Sequence, residues 1–431
     1  MEKSKTLERS SVVYSTLPVV AWTAVALLWL AGGSNYLTRT TLTTMRGSII
    51  QDIPMTDAQF GMLTSVFLWF YAAVSPFGGF VADRFSRRLV VISSVAVWSA
   101  ITLVTAHVKA FEPFLILRAL LGLSQAFYIP AAVAVIVDYH LGPTRALAGG
   151  IHLTGLVFGN AIGGLGGWLA EKQGWSDAYT YIGLPNLGLA VLLLFFLRDP
   201  PREHLGLTAA KSHSQQVRLG EALLSLARPG PYYYFLGCQA VQGAVSWIII
   251  GWVPTLMREQ FTMAQGTAGI SSLGLMYGSQ MTGLLLGGFM SDRWSRSNPR
   301  ARIIIPALAI VLTAPVFWAT GWYHHIALTL LSLSLWGLAM GFLGANNMPI
   351  VCLVVDPRYR ATAVGLMNCC TAIFGGFAIY GVGALRDAKF GVSWILTGTG
   401  VGVLLCGLLL WLVNVTLKQR ESDVAPLIPV T

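Results

Sequence analysis

The chain has 431 residues, of which 55% are hydrophobic and only 11% are charged, and its formal net charge is +10. A soluble domain carries about 25% charged residues, so this composition excludes a soluble globular protein and requires a surface that faces lipid. The apolar stretches are long and continuous, and in hydrocarbon only helices or a closed barrel pair every backbone amide. We therefore predict an all-α membrane protein.

Twelve apolar segments are each long enough to cross a bilayer, which takes about 20 residues. The predicted membrane helices are 17–45, 56–82, 89–108, 112–138, 146–170, 178–198, 231–257, 263–290, 303–321, 326–355, 361–384 and 392–416. They form an N-terminal six-helix bundle over 17–198 and a C-terminal six-helix bundle over 231–416. Tails at 1–16 and 417–431 flank them, and a polar linker at 199–230 ends in a short amphipathic helix at 219–228.

The basic residues are distributed unevenly between the two sides of these helices. The side with both termini and the linker holds 20 of the 28 lysines and arginines, and the opposite loops hold 6. The positive-inside rule places the richer side in the cytoplasm. The net charge therefore indicates membrane topology and not a nucleic-acid partner, and we expect a multi-pass protein of a bacterial inner membrane with both termini cytoplasmic.

Short motifs return in the same order in the two halves. The stretch 78–87 returns as 287–296 at an offset of 209 residues, which pairs Asp83-Arg84 with Asp292-Arg293. Thr56-x-x-Gln59 and Thr262-x-x-Gln265 are both spaced as capping boxes at the start of the second helix of each half. Two parallel six-helix repeats predict a binding site at their interface.

Gly79 to Arg88 reads Gly-Phe-Val-Ala-Asp-Arg-Phe-Ser-Arg-Arg, which resembles the loop between helices 2 and 3 of the major facilitator superfamily. The likeness covers essentially the whole chain and implies the major facilitator fold, with twelve helices in two pseudo-symmetric bundles, and alternating access. Further motifs resemble both the spinster lipid transporters and the anion:cation symporters related to vesicular glutamate and sialic-acid carriers. These motifs are Asn35-Tyr-Leu-Thr-Arg39, Arg118-x6-Gln125, Trp252-Val-Pro-Thr255 and Asn298-Pro-Arg-Ala-Arg302.

Two departures from those families bear on ion coupling. Both families usually carry Asp before the first-helix Arg and Glu seven residues after the fourth-helix Arg. This chain has Thr38 and Gln125 at those positions. The acids are the families' proton carriers, so the resemblance does not extend to proton symport.

Arg39 and Arg118 fall inside predicted spans, roughly 9 Å from the outer ends at ~1.5 Å per residue. All 18 acidic residues fall in loops or near helix ends. An unneutralised guanidinium in the bilayer costs about 2.5–3.5 kcal/mol, which favours a cavity that recognises an anionic carboxylate or phosphate. The alternative is that Arg39 extends to the interface.

Polar side chains on other spans are further candidates for substrate binding, although such side chains also pack in membrane helices without any role in binding. We assign this role to Asn35, Thr38, Gln125, Gln239, Gln242 and Asn347. Ser246, Gln280, Asn346 and Asn368 are weighed in the same way, and Tyr71, Trp247 and Tyr277 are candidate aromatic lining residues.

His152 is the histidine well inside a span and could replace the missing acids as a proton carrier. The alternative is a hydrogen-bonded structural histidine. The resemblance also implies that a cytoplasmic motif holds the two halves together in the outward-open state. The alternative is that its basic residues only reflect the positive-inside distribution of charge. The motif comprises Gly79, Asp83, Arg84, Arg87, Arg88, Asp292 and Arg293.

These features predict a transporter and not an enzyme, since no nucleophile–base set, metal ligand set or Walker motif is present. We expect a monomer without a cofactor that moves an organic anion by uniport or exchange. The alternatives are a spinster-like lysophospholipid carrier and a proton-coupled symporter that uses His152. A membrane sensor would more often append a soluble output domain.

Overall fold

The computed structural model describes residues 2–140, 144–199, 219–228 and 230–424. In these ranges the chain is helical, without strands. The N-terminal membrane helices are α1 (Glu2–Thr44), α2 (Asp57–Arg84), α3 (Arg87–Thr105), α4 (Phe111–Gln125 and Tyr128–Tyr139), α5 (Arg145–Ile162 and Leu165–Gln173) and α6 (Trp175–Phe196). The C-terminal ones are α7 (Pro231–Phe261), α8 (Gln265–Gly269, Ile270–Gly274 and Leu275–Ser295), α9 (Ala301–Tyr323), α10 (Ile326–Val354), α11 (Arg360–Asp387) and α12 (Val392–Val424).

Eleven of the described helices are long and apolar enough to span a membrane, and they match eleven predicted spans. The remaining predicted span, 263–290, corresponds to α8, which contains a π-helical turn at Ile270–Gly274. Helix α1 begins at Glu2, so residues 2–16 of the predicted tail belong to the same helix. Of the predicted linker, Leu219–Ala227 forms the expected short helix, whereas 200–218 and 229 lie outside the described residues, as do 425–431 of the predicted tail.

Each half has its own buried apolar core. One cluster consists of residues of α1 to α6, such as Leu28, Trp98 and Tyr128, together with Ala372 of α11. A second joins residues of α7 to α12, such as Phe235 and Trp336. The division of the chain into two six-helix units thus coincides with two packed cores.

We call the end of the molecule with Asp52 and Glu259 the outer face, and the end with His140 and Asp292 the inner face. A third apolar cluster at the outer face joins the halves, because it includes Phe60 from α2, Trp252 from α7 and Ile379 from α11. This cluster closes the space between the halves on the outer side.

Charged side chains reinforce this closure. Arg386 of α11 donates to Glu259 of α7 at 2.8 Å and to Asp57 of α2 at 3.0 Å. Arg46, in the short helix Arg46–Asp52, pairs with Asp57 and lies 3.5 Å from Glu259. Both guanidinium groups lie over the Trp252 ring, at 5.1 Å for Arg386 and 5.8 Å for Arg46. We call these four charged residues the outer network.

The N-terminus of α2 carries the predicted capping box, with Thr56 and Gln59 bonded reciprocally. It also receives Asp387 from the other half, which accepts the backbone N–H of Asp57 at 2.8 Å. The matching prediction for α8 is wrong. Thr262 has a φ of 52°, and the helix that begins at Gln265 has Ala264 as its N-cap without a side-chain hydrogen bond. The Gln265 side chain instead bonds Ser48 of the opposite half.

The inner ends of the interface helices are open. A Cβ added to Gly79 of α2, Gly149 of α5 or Gly365 of α11 would meet no atom within 4 Å. By contrast, a Cβ on Gly383 of α11, near the outer end, would lie 2.4 Å from the Asp57 carbonyl oxygen. The halves are therefore in close contact at the outer face, whereas these glycines of the inner ends have no close neighbour.

Candidate functional site

A cavity of about 390 Å³ lies between the two halves, and both halves contribute to its wall. From the N-terminal half it is lined by Tyr36, Arg39, Leu68, Tyr71, Ile129, Leu153, Leu156 and Asn160. From the C-terminal half it is lined mainly by Gln242, Ser246, Trp247, Met276, Tyr277, Gln280, Trp336 and Asn368. Among the described residues that line it, Arg39 is the only charged one.

Arg39 is held by a chain of hydrogen bonds between α1 and α4. Its Nε donates to Gln125 Oε1 at 3.0 Å, and Gln125 Nε2 donates to Thr38 Oγ1 at 2.9 Å. The Thr38 hydroxyl in turn donates to the Asn35 carbonyl oxygen at 2.8 Å, which leaves its oxygen free to accept from Gln125. Three residues predicted from the sequence thus fix the orientation of the guanidinium.

Aromatic rings surround the Arg39 guanidinium. Its central carbon lies 4.3 Å from the Tyr36 ring centre, 4.4 Å from Tyr71 and 5.3 Å from Phe67. The side chain is 4% exposed, and Nη2 is buried without a hydrogen-bond partner. Each cation–π contact contributes about 0.5–2 kcal/mol, whereas an ion removed from water loses several kcal/mol of hydration. An anionic group would supply the missing hydrogen bonds.

Arg118 lies near Arg39 but does not line the cavity. It is 1% exposed, its Nε donates to the Leu63 carbonyl oxygen at 3.1 Å, and its Nη1 and Nη2 have no partner. Its guanidinium carbon lies 4.9 Å from the Phe67 ring, which also contacts Arg39. The Phe67 ring therefore lies against both guanidinium groups, and Arg118 does not contact the cavity.

Four other candidate residues lie away from the cavity wall. Asn35 is fully buried with both side-chain polar atoms unpartnered, and Gln239 is 5% exposed on α7. Asn347, on α10, is absent from the lining. His152 is 1% exposed and its ring lies 6.0 Å from that of Tyr128, enclosed by helix packing.

Several lining residues were not singled out from the sequence. Tyr36 follows Asn35 directly, Asn160 lies in the glycine-rich part of α5, and Trp336 lies on α10. An intramembrane Asn beside glycines is a signal that could have identified Asn160, since polar residues within spans mark pathways. Nothing in the local sequence distinguishes Trp336 from a packing aromatic residue.

Comparison with known proteins identifies the family. The sequence description of the Major Facilitator Superfamily matches residues 28–379 and 238–427, which together cover most of the chain. The chain belongs to the major facilitator superfamily. It is accordingly an integral, multi-pass membrane transporter and not an enzyme.

Similar proteins within the superfamily include a probable sulfoacetate transporter and spinster proteins. The chain is 25% identical over 389 residues to a probable sulfoacetate transporter of Cupriavidus necator, covering 85% of this chain and 88% of the relative. It is 27% identical over 396 residues to spinster homolog 1 of Xenopus tropicalis, covering 85% of this chain and 73% of the relative. The human spinster homolog 1 is 27% identical over 372 residues, covering 79% and 68%.

Solved structures support the major facilitator fold. A bacterial homolog of the human lysosomal transporter spinster, crystallised inward-facing and unoccupied, superposes with a TM-score of 0.78 at 21% identity, covering 93% of this chain and 98% of that chain. A nucleoside transporter superposes with a TM-score of 0.68 at 15% identity, covering 92% and 99%. The predicted arrangement of two six-helix bundles is thereby confirmed.

Several contacts of the superfamily motif at the inner face lie within one half. Arg87 pairs with Asp138, and the Arg84 guanidinium lies 5.7 Å from the Phe80 ring centre. Asp292 pairs with Arg302 at 2.8 Å. Arg88 donates to the Leu194 carbonyl oxygen of the same half, and Arg293 is exposed. The side chain of Asp83 lies outside the described set. These intra-half contacts fit an inner face that is open.

Proposed function

We propose that this protein moves an organic anion by alternating access and holds the anionic group at Arg39. The observation that carries the proposal is that Arg39 is the only charged side chain among the described residues that line the cavity between the halves. Its Nη2 has no protein partner, and a guanidinium offers planar donors that match a carboxylate, sulfonate or phosphate. Arg118 adds positive potential from behind Phe67.

The cavity volume and lining indicate the kind of anion. A volume of about 390 Å³ lies near the lower end of the ~300–1,000 Å³ typical of ligand pockets. The Trp247 and Trp336 rings offer apolar surface, and Gln242 and Gln280 offer hydrogen bonds. These features favour a small organic anion, and the similarity to a probable sulfoacetate transporter supports that class.

A lysophospholipid is the second candidate substrate. It is favoured by the apolar lining that Leu68, Ile129, Leu153 and Leu156 provide on the N-terminal side, and by the similarity to spinster proteins. In that case the phosphate would bind Arg39 and the acyl chain would extend along this apolar wall. A lysolipid that competes with small anions at micromolar concentration would favour this candidate.

Uniport or anion exchange fits the surroundings of Arg39 better than proton symport. Thr38 and Gln125, which bond each other and Arg39, cannot release a proton. His152, the alternative carrier, is enclosed by packing and is not part of the cavity lining. Proton symport through His152 would therefore require His152 to gain access to the cavity during the cycle.

The charge asymmetry of the loops supports an orientation in a bacterial inner membrane with the inner face toward the cytoplasm. The two halves with their own cores support transport by a monomer, since the cavity is complete within one chain. Reporter fusions after residues 210 and 425 that both report a cytoplasmic location would support this orientation.

Tryptophan fluorescence of the purified protein tests substrate binding, because Trp247 and Trp336 line the cavity. We expect at least one of 2-hydroxyethanesulfonate, sulfoacetate, benzoate and glycerol 3-phosphate to change the emission saturably. Arg39→Ala should weaken that binding at least about 30-fold, since a charged hydrogen-bonded contact contributes about 2 kcal/mol. Arg145→Ala, which removes an exposed cation outside the cavity, should bind normally. Equal binding by the Arg39→Ala variant would contradict the proposal.

A further inference from the structure

The two walls of the cavity differ in charge. The N-terminal half contributes Arg39 to the lining, and Arg118 of the same half lies on the far side of the Phe67 ring. Within the described part of the chain, the residues that the C-terminal half contributes to the lining are all uncharged. A ligand that spans the cavity therefore has a cation at one end only.

The polar groups of the C-terminal wall are amides and hydroxyls. Gln242, Gln280 and Asn368 come from α7, α8 and α11. Gln242 Nε2 donates to Ser246 Oγ at 3.0 Å, whereas the side chains of Gln280 and Asn368 have no hydrogen-bond partner among the described residues. An amide accepts a hydrogen bond from a hydroxyl or donates one to it, but it does not neutralise a charge. This wall thus suits a neutral hydrogen-bonding group.

Gln280 is the amide best placed to contact the far end of a small anion held at Arg39. Tyr277 precedes it by three residues, so both side chains lie on one face of α8, ~4.5 Å apart along the helix axis. The Tyr277 hydroxyl interacts electrostatically with the Arg39 guanidinium. The Gln280 amide therefore lies about one helical turn beyond the anion site, a separation that a short carbon chain spans.

A second negative charge at this far end would be unfavourable. It would lose its hydration without gaining a cation, because the Arg39 and Arg118 guanidinium groups both lie against Phe67 on the opposite wall. An unpaired charge removed from water costs much more free energy than a hydroxyl that gains a hydrogen bond. A tail that ends in a hydroxyl would instead bond the Gln280 amide.

We propose that the cavity selects anions that carry charge at one end and a hydroxyl at the other, and that Gln280 determines this selectivity. The proposal rests on the proposed function, since it places the anionic group at Arg39. It narrows the substrate class from small organic anions to hydroxylated ones, and it disfavours anions with two separated charges.

Three sulfonates of nearly equal size test the selectivity because they differ only at the tail. Ethanesulfonate ends in a methyl group, 2-hydroxyethanesulfonate in a hydroxyl, and sulfoacetate in a carboxylate that is ionised at neutral pH. Tryptophan fluorescence of the purified full chain measures the affinity for each. We expect 2-hydroxyethanesulfonate to bind about 3- to 10-fold more tightly than ethanesulfonate, the contribution of one hydrogen bond, and at least about tenfold more tightly than sulfoacetate.

Two variants of Gln280 should act in opposite directions. Gln280→Leu should remove the advantage of the hydroxyl, so that 2-hydroxyethanesulfonate binds like ethanesulfonate. Gln280→Lys should strengthen the binding of sulfoacetate at least about tenfold, because an ammonium group would then pair with the carboxylate. Ethanesulfonate has no tail group that bonds Gln280, so its binding to the Leu variant should match the wild type and shows that the site is folded.

The outcomes separate this selectivity from the proposed function. If ethanesulfonate binding is lost in Arg39→Ala but sulfoacetate binds the wild type as tightly as 2-hydroxyethanesulfonate does, the selectivity is overturned and the anion site stands. The same conclusion follows if neither Gln280 variant changes the order of the three ligands. Failure of all three sulfonates to bind would also overturn the selectivity. Ethanesulfonate binding that is unchanged in Arg39→Ala would contradict the proposed function, and this inference with it.

Discussion

At the scale of single residues, the central feature is a cation that the protein orients but does not neutralise. Gln125 and Thr38 fix the Arg39 side chain through neutral hydrogen bonds, while three aromatic rings stabilise its charge. The resemblance noted from the sequence implies acids at the Thr38 and Gln125 positions of related families. The neutral side chains present in this chain leave the positive charge of Arg39 uncompensated.

A carboxylate at position 125 should compete with the substrate. Gln125→Glu would place an acidic oxygen about where Oε1 now lies 3.0 Å from Arg39 Nε, so an internal ion pair would form. We expect anion affinity to fall at least about tenfold at neutral pH. Affinity should recover as the pH is lowered, because protonation of the new acid releases Arg39.

Gln239→Glu is the control, since Gln239 is buried on α7 and is not part of the cavity lining. Fluorescence titrations at several pH values would measure both variants. A pH-independent affinity in the Gln125→Glu variant would indicate that Gln125 does not control the charge available at Arg39.

The sequence predicted much of this site, and the limits have physical causes. Arg39, Thr38 and Gln125 were identifiable because polar residues are costly in a span. The separation of Arg118 from the cavity was not predictable, since it depends on how the Phe67 ring packs between helices that are distant in sequence. For Gln239, Asn347 and His152, the sequence predicted the helix and the depth in the membrane. It did not predict that their side chains lie away from the cavity.

At the scale of helices, close packing at glycines sets the position of Arg39. A Cβ on Gly159 of α5 would lie 2.1 Å from the Gly33 carbonyl oxygen of α1. One turn further along α5, a Cβ on Gly163 would lie 1.9 Å from Thr40 Oγ1, next to Arg39. This close contact of glycines in α5 holds α1 against α5 beside the cavity.

Two glycine substitutions in one helix should have opposite effects. Gly159→Ala forces two backbones apart, and overpacking of this kind costs about 1–3 kcal/mol. Gly149→Ala meets no atom within 4 Å, so it should leave stability unchanged or raise it by up to about 1 kcal/mol through helix propensity. Thermal unfolding in detergent measures both. Equal stability of the two variants would show that the α1–α5 contact is not tightly packed.

Helix positions were predictable because hydropathy alone marks a span, and the bounds agree within a few residues for most helices. The local irregularities within the helices were not predictable from hydropathy. Helix α8 contains a π-helical turn at Ile270–Gly274, and α5 is interrupted by a turn at Gly163–Gly164. The two irregular segments contact each other between the halves, since a Cβ on Gly164 would lie 2.5 Å from the Gly269 carbonyl oxygen. Such irregularities arise from tertiary packing, which a single sequence does not display.

At the scale of the whole molecule, the outer network favours the conformation that is open at the inner face. Arg46, Asp57, Glu259 and Arg386 connect α2, α7 and α11 across the halves. Opening the outer face must separate these charges, whereas the inner-face pairs Arg87–Asp138 and Asp292–Arg302 lie within one half and need not break. The free energy of the outer network therefore biases the alternating-access equilibrium.

Loss of Arg386 should shift that equilibrium toward the outward-open state. Arg386→Gln removes bonds to Asp57 and Glu259, and a loss of about 1–2 kcal/mol changes the population ratio roughly 5- to 30-fold. Spin labels at the exposed positions Gln51 and Lys389, on a background without the native cysteines, would report a longer distance in the variant. Arg358→Gln, which breaks only local contacts with Asp356 and the Tyr359 ring, should leave the distances unchanged. Identical distances in both variants would contradict this role of the outer network.

Counterflow in proteoliposomes tests most directly whether Arg39 holds a transported anion. Vesicles preloaded with the anion that binds best should take up the labelled anion through the wild-type protein, and a pH gradient alone should not drive accumulation. Arg39→Ala should reduce this uptake at least about 30-fold, and Arg39→Lys should restore little because it lacks the planar fork. Wild-type counterflow in the Arg39→Ala variant, or uphill uptake driven by a proton gradient alone, would contradict an anion carrier that works by uniport or exchange.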